Sequence, residues 1–564
     1  LQYKNKIVIQ KILIVGLMLF LSTSQLVFAG TNVGDREEQN QRARQDEQAR
    51  QQRQQNRDVF LKAKTPLETE EALPKETPSF FVKTVQIEGP EIAQFIWLSQ
   101  KAAHYNGQMI GKEGINLIVK RLNNALIDRG YITSRVMVPE QDLSQGVLRF
   151  VLVVGTIGDI RFDPPMKQAD WHLAFPTKPG DILNLRDLEQ GLEQLKRIPS
   201  QDADFKLTPG KQPDQTDIVI NLKRTKPWKV IYSIDDSGEK PTGRLQNSAT
   251  LSVDNLFGLN DLFYIGWNRD AEGHHSIHST KGNSINWSFP AGYWTYSFSS
   301  WNHNYKQTFY NAANTLVYIG DSRNLELKAE RVIDRTQNSK TKLNFGVLQN
   351  WSHNYIDNTE IMVQRKQTTA LEFGLSQRRY VNQDVWDYQL SYHHGMAWFG
   401  AQSQAATPDG SPTTRYGLWI LEVDLTKPVV IWDTQARYNL TWRGQYTNST
   451  LYATDCFSIG NRYTVRGFDG EQTLLGERGW YCRNELAFPL DQKGREIYGG
   501  LDYGVVSGPS AATLTSHELL GAVVGLRGAI GQGNFDVFVG WPLKEPHEFG
   551  SQNPTYGFQY TYAI

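Results

Sequence analysis

The chain has 564 residues, room for several domains, since a single compact core rarely outgrows about 250–300 residues. Lysine and arginine total 59, aspartate and glutamate 59, and a formal net charge of zero gives no ground for a nucleic-acid partner. A mean hydropathy of −0.49, with no long apolar run after Ala29, excludes a helical membrane protein and leaves a soluble chain or a β-barrel.

Lys4, Lys6 and Lys11 precede the apolar run I-L-I-V-G-L-M-L-F-L (Ile12 to Leu21), and small and polar residues then lead to V-F-A at Ala29. This pattern predicts a secretory signal peptide over residues 1–29, because so short a run falls well below the roughly 20 apolar residues of a spanning helix. Export delivers the chain to an oxidising compartment, which predicts a disulfide between its two cysteines, Cys456 and Cys482.

Residues 30–62 are nearly all Gln, Arg, Glu, Asp and Asn. Straight-chain side chains favour helix, yet no apolar stripe is present to pack on a core. The segment is therefore either a disordered polar tail or a helix that stays wet on every side. A linker over 63–78 carries Pro66, Pro74 and Pro78.

Residues 79–155 read as a small α+β module. A strand F-F-V-K-T-V-Q-I-E-G is followed by a helix in which Ile115, Ile118, Leu122, Ala125 and Leu126 recur at helical spacing and Gly130 ends the run, then by strands Y-I-T-S-R-V-M-V-P and G-V-L-R-F-V-L-V-V-G. Residues 156–226 repeat the order in shorter form, with Asn184 placed to cap a helix carrying Leu188, Leu192 and Leu195, and a closing strand D-I-V-I-N-L. Neither module holds a catalytic cluster, and each offers a sheet edge or a groove to an extended peptide.

From 227 to 564 the period becomes two. Trp386, Tyr388, Leu390 and Tyr392 alternate with Asp387, Gln389, Ser391 and His393; Trp294, Tyr296 and Phe298 alternate with Thr295, Ser297 and Ser299; Ala436, Tyr438, Leu440 and Trp442 alternate with Arg437, Asn439, Thr441 and Arg443. A soluble sandwich or solenoid would bury an aliphatic face, whereas here the apolar face is aromatic and the other carries ions and amides. That is the pattern of a transmembrane β-barrel, lipid outside and water within. The last residues place Tyr556, Phe558, Tyr560, Tyr562 and Ile564 on one face, and at roughly 20 residues for each tilted strand with its connections the segment accommodates about sixteen antiparallel strands.

Two motifs stand out within it. D-N-L-F-G-L-N-D (Asp254 to Asp261) holds Asn255, Gly258 and Asn260, residues that accept turn conformations others resist. V-R-G-F-D-G (Val465, Arg466, Gly467, Phe468, Asp469, Gly470) sets an arginine, a ring and an acid between glycines, bracketed by Cys456 and Cys482. With the polar segment, the tandem modules and the barrel, these motifs make the mature chain resemble the outer-membrane transporters of two-partner secretion. Those transporters belong to the Omp85 superfamily, whose periplasmic modules are POTRA domains; the chain looks most like exporters of haemolysins, filamentous haemagglutinins and contact-dependent growth-inhibition toxins.

The resemblance implies that Asp254–Asp261 is a periplasmic turn and that V-R-G-F-D-G tips the sixth extracellular loop, folded back into the barrel, with Arg466 reaching Asp502 on the inner wall. It also implies that the polar segment is a helix plugging the lumen. The expected location is the outer membrane of a Gram-negative bacterium, with the POTRA domains in the periplasm. The expected partners are a large secreted protein held by the POTRA domains through its N-terminal secretion domain, outer-membrane lipid and lipopolysaccharide, and, during biogenesis, the barrel-assembly machinery and periplasmic chaperones.

Three other functions compete. An outer-membrane assembly factor shares the arginine loop but normally carries more modules and lacks the polar plug; a diffusion porin lacks the modules. A hydrolase needs a nucleophile, base and orienter set that the sequence does not offer. The pairs His274–His275 and His393–His394 do not read as metal or catalytic sites, because adjacent strand residues face opposite ways. No Walker-type phosphate loop occurs, and neither cofactor nor metal is expected.

Overall fold

The computed structural model describes residues 33–55, 58–61, 72–166, 170–310, 315–403 and 411–564; the expected signal peptide and residues 63–71 of the expected linker lie outside them. The polar segment forms a helix, α1 (Val33–Gln55).

In the first module the expected opening strand breaks at Lys83. Ser79–Val82 pairs antiparallel with Gln108–Gly111, whereas Thr84–Glu88 runs parallel to Val147–Val153. Helices α2 (Ile96–Ala103) and α3 (Lys112–Asp128) cover the sheet, with Leu98, Ile118, Leu122, Leu148 and Phe150 fully buried between them. Of the stretch Y-I-T-S-R-V-M-V-P only Arg135–Met137 is strand.

The second module is a three-stranded sheet in which Gln215–Arg224 lies between Thr156–Phe162 and Gln201–Pro209. Its helix α4 (Leu185–Lys196) starts where the Asn184 side chain accepts a hydrogen bond from the Arg186 N–H at 2.8 Å, satisfying a donor the helix leaves open. Leu188, Leu192 and Leu195 pack on Ile157, Ile218 and Ile220. The polar residues Glu189, Gln190 and Gln194, which a free-standing module would turn to water, are buried too. What covers them is the barrel.

That barrel closes from Trp228–Asp235 to Thr555–Ala563, whose pairing includes Ser233 with Thr561 and Tyr232 with Tyr562. Sixteen antiparallel strands make the ring, the short Thr359–Glu360 ladder being an extension of one loop. The alternation sorts the faces. Tyr388 and Leu390 open outward, while Asp387 points into the lumen and accepts a hydrogen bond from Arg378 at 2.7 Å. One end has tight turns, such as Trp432-Asp433 with φ of 47° and 61°, the left-handed pair that a two-residue hairpin turn requires. The other end has the long loop 448–477. Thr315–Arg335 runs 21 residues, about twice the 9–11 needed to cross a bilayer.

The expected disulfide is not formed: Cys456 and Cys482 are free. Tyr481 and Arg483 point into the lumen, where they meet α1, so Cys482 between them faces outward. Cys456 lies inside, packed against Leu451, Leu475 and Tyr416. The barrel wall separates the two sulfurs, a parity that compartment alone does not reveal.

Candidate functional site in the barrel lumen

The loop between Thr434–Thr447 and Arg478–Pro489 turns back into the bore. At its tip the Arg466 guanidinium grips Asp502 with two bonds, Nε to Oδ2 at 2.7 Å and Nη2 to Oδ1 at 2.9 Å, and its backbone N–H donates to Oδ2 at 3.0 Å. Nη1 donates to Glu485 at 2.5 Å, and Arg527 donates to the same carboxylate at 2.6 Å. Asp502 is fully buried and Arg466 nearly so. Planar bidentate pairing of this kind fixes orientation as well as position.

Apolar packing carries the rest of the tip. Val465 and Phe468 are buried with Phe457, Ile459 and Leu519, and the Phe468 ring meets Phe549 edge-on at 5.7 Å. The Asp469 carboxylate accepts from the Gln552 N–H at 3.2 Å, tying the tip to the last extracellular loop. Gly467 (φ +106°) has no room for a side chain, since a β-carbon there would stand 2.6 Å from the Trp541 carbonyl oxygen; Gly470 follows at φ +82°. The wall answers with glycines of its own: β-carbons on Gly500, Gly504 and Gly521 would meet Arg466 or Val465. Sequence reasoning passed over these wall glycines. Their signal is glycine recurring inside otherwise regular strands, which marks a close backbone approach.

α1 lies across the same lumen. Toward its C-terminal end, Arg50 and Arg53 reach Glu422 at 3.2 and 2.6 Å, while Arg443 on the wall reaches Asp46 at 3.0 Å. Toward its start, Asp35 meets Lys366 at 2.6 Å and Glu37 meets His303 at 3.2 Å. The helix also touches the folded-in loop. Arg42 donates to Asp455 at 2.9 Å, the Asn461 amide donates to Asn40 at 3.0 Å, and Arg483 donates both to Glu47 of the helix at 3.2 Å and to the Tyr463 carbonyl of the loop at 3.1 Å. The polar surface that denies α1 a place in an ordinary core suits a hydrated charged bore.

At the periplasmic end the turn Asp254–Asp261 receives the second module. Asp254 accepts from the Ser200 N–H at 2.8 Å, the Asn260 side chain donates to the Asp170 carbonyl at 3.0 Å, and Asp261 closes the turn by accepting from the N–H groups of Phe257 and Leu259 and from the Trp287 indole. Positive φ at Asn255, Gly258 and Asn260 makes the tight fold. α4 seats beside it. Gln190 and Gln194 donate to the Gly292 carbonyl at 3.2 and 3.3 Å, and Arg335 reaches Glu193 at 2.8 Å. The Tyr293 hydroxyl donates to Asp187, whose carboxyl is nevertheless pushed above its ordinary range by burial. Asp58, just after α1, joins this cluster through Lys340 and Arg378; burial opposes its charge, but the two cations hold its pKa at about 2.

A family model described as haemolysin secretion/activation protein ShlB/FhaC/HecB matches residues 214–528, and POTRA models match 80–155 (ShlB-type) and 156–209. The chain belongs to the ShlB/FhaC/HecB family. It is thus a two-partner secretion transporter of the outer membrane, its POTRA domains periplasmic, which sets aside the assembly-factor and porin readings. The outer membrane transporter CdiB-2 of Burkholderia pseudomallei is 39% identical over 549 residues, 93% of each chain. CdiB of Dickeya dadantii is 30% identical over 95% of each. The solved structure of CdiB from Acinetobacter baumannii superposes with a TM-score of 0.85 at 28% identity, covering 95% of this chain and 99% of that one.

Within this family fold, the arrangement supplies three linked holds on one pore: a loop clamped to the wall, a helix clamped to both, and a periplasmic module clamped to the turns beneath.

Proposed function

We propose that this transporter exports a single large, unfolded, β-helical partner, of the contact-dependent growth-inhibition toxin or haemolysin type, from periplasm to cell surface. The partner's N-terminal secretion domain adds a strand to a POTRA sheet edge. α1 then withdraws, and the chain threads the vacated bore. Folding outside draws the transport, since the folded partner no longer fits back through; the transporter supplies no covalent chemistry. Lipid and lipopolysaccharide surround the barrel, which reaches the membrane with the help of periplasmic chaperones and the barrel-assembly machinery.

One observation carries this reading: Arg483 hydrogen-bonds the plug helix and the folded-in loop at once, so neither moves without disturbing the other. In that reading Arg466 and Asp502 form the latch that holds the loop. Co-expression with the cognate partner tests it. Arg466→Ala leaves the barrel assembled in the outer membrane and sharply lowers the partner recovered at the cell surface; normal secretion by a correctly inserted variant would remove the latch.

A further inference from the structure

We propose that the extracellular loop 271–278 carries a binding site for a divalent transition-metal ion, with Glu272, His274 and His278 as its protein ligands. One ligand atom of each lies within 4.8 Å of the other two. The strand argument against a site at His274 fails here, because 274–278 is a hydrogen-bonded turn outside the strands: the His278 N–H donates to the His274 carbonyl at 3.1 Å, and the two rings stand 5.8 Å apart.

Glu272 is held ready. Its Oε1 accepts the backbone N–H groups of Arg244 and Leu245 at 2.5 and 2.9 Å, which leaves Oε2 directed at His278 Nε2, 3.5 Å away. Donors at the usual zinc–ligand distances stand about 3.3–3.5 Å apart around a tetrahedral ion, so this pair already has the spacing of two ligands. The exposed His274 closes the third position by rotating its ring. Gly243 (φ +111°) brings the neighbouring loop over the cluster, with room for no side chain beside Asp270.

Two imidazoles and one carboxylate suit zinc, nickel or copper rather than calcium or magnesium, which prefer all-oxygen sets, and a fourth position remains for water. A bound ion would brace the loop 236–245 through Glu272. That loop carries Thr242 and Glu239, which bond Glu37 and Asn40 of α1 at 3.0 and 2.6 Å, so the ion would strengthen the hold on the helix at its extracellular end.

The test uses the full chain, purified in detergent without a histidine tag, stripped with chelator and titrated with Co²⁺. One equivalent is expected to give a visible ligand-field absorption that Zn²⁺ abolishes. His274→Ala, at an exposed loop position that the fold does not need, weakens binding about tenfold or more, whereas His394→Ala on the barrel wall leaves it unchanged. Absence of saturable one-to-one binding, or binding equally tight in His274→Ala and His278→Ala, would overturn the site.

Discussion

Gly521 faces the backbone of Arg466 so closely that a β-carbon on it would stand 1.9 Å from the arginine's carbonyl oxygen. Gly521 is also the cross-strand partner of Asp502, so the loop tip rests on a paired acid and gap. Gly521→Ala is therefore expected to lift the tip from its seat while leaving both members of the ion pair in the sequence. Secretion should fall sharply and the loop should become sensitive to protease added outside the cell. Gly499→Ala is the control, since its β-carbon would meet nothing nearer than 3.9 Å.

The chemistry of the clamp predicts a graded series. Arg466→Lys keeps the charge but loses the planar fork that grips both Asp502 oxygens and Glu485 together, so it should secrete at an intermediate level. Arg466→Ala leaves the buried Asp502 without its cation while Glu485 keeps Arg527, and breaking a buried pair costs about 3–5 kcal/mol. Adding Asp502→Asn to Arg466→Ala should then cost less than the two single changes summed, read as loop protection against protease; strict additivity would deny the pairing.

For the plug, Glu422 meets Arg50 and Arg53 from the helix and Arg443 from the wall. Removing both helix arginines leaves Glu422 with its wall partner alone. The double variant Arg50→Ala/Arg53→Ala should raise single-channel conductance several-fold, and Gln51→Ala, at an exposed position whose amide bonds Glu47 of the same helix, should not.

The docking of the second module should weaken in acid. Asp58 and Glu193 are both held below their ordinary range by Lys340 with Arg378 or Arg335, against the opposing effect of burial. A carboxylate lowered on docking contributes fully above its free pKa and loses that contribution as pH falls toward the docked value. Spin-label distances between α4 and the barrel should therefore hold steady from neutrality to about pH 5 and broaden as pH drops through 4 toward 2. Lys340→Met should shift that broadening upward.

Two free thiols separated by the barrel wall predict identical mobility of the denatured protein with and without reductant. They also predict two maleimide additions after unfolding without reductant.

The barrel was legible because its period of two sorts rings from ions strand after strand, as at Trp386–His393, and lipid on one side with water on the other leaves few other ways to satisfy that alternation. Asn184 announced its helix by cap chemistry. The short helix α2 gave no comparable signal: eight residues hold too few turns for periodicity to speak. The buried polar face of α4 was equally silent, since Glu189, Gln190 and Gln194 read as solvent-facing until a barrel covers them. Long-range charge matching, such as Arg50 of the helix to Glu422 some 372 residues later, leaves no trace in local pattern. The cysteine parity, by contrast, was available from Tyr481 and Arg483 on either side of Cys482.

The central claim is that α1 occupies and blocks the bore. Single-channel recording in planar bilayers, comparing the purified protein with a variant lacking residues 33–55, tests it most directly. A several-fold larger and steadier conductance in the variant is predicted. Equal conductance of the two proteins would contradict the account.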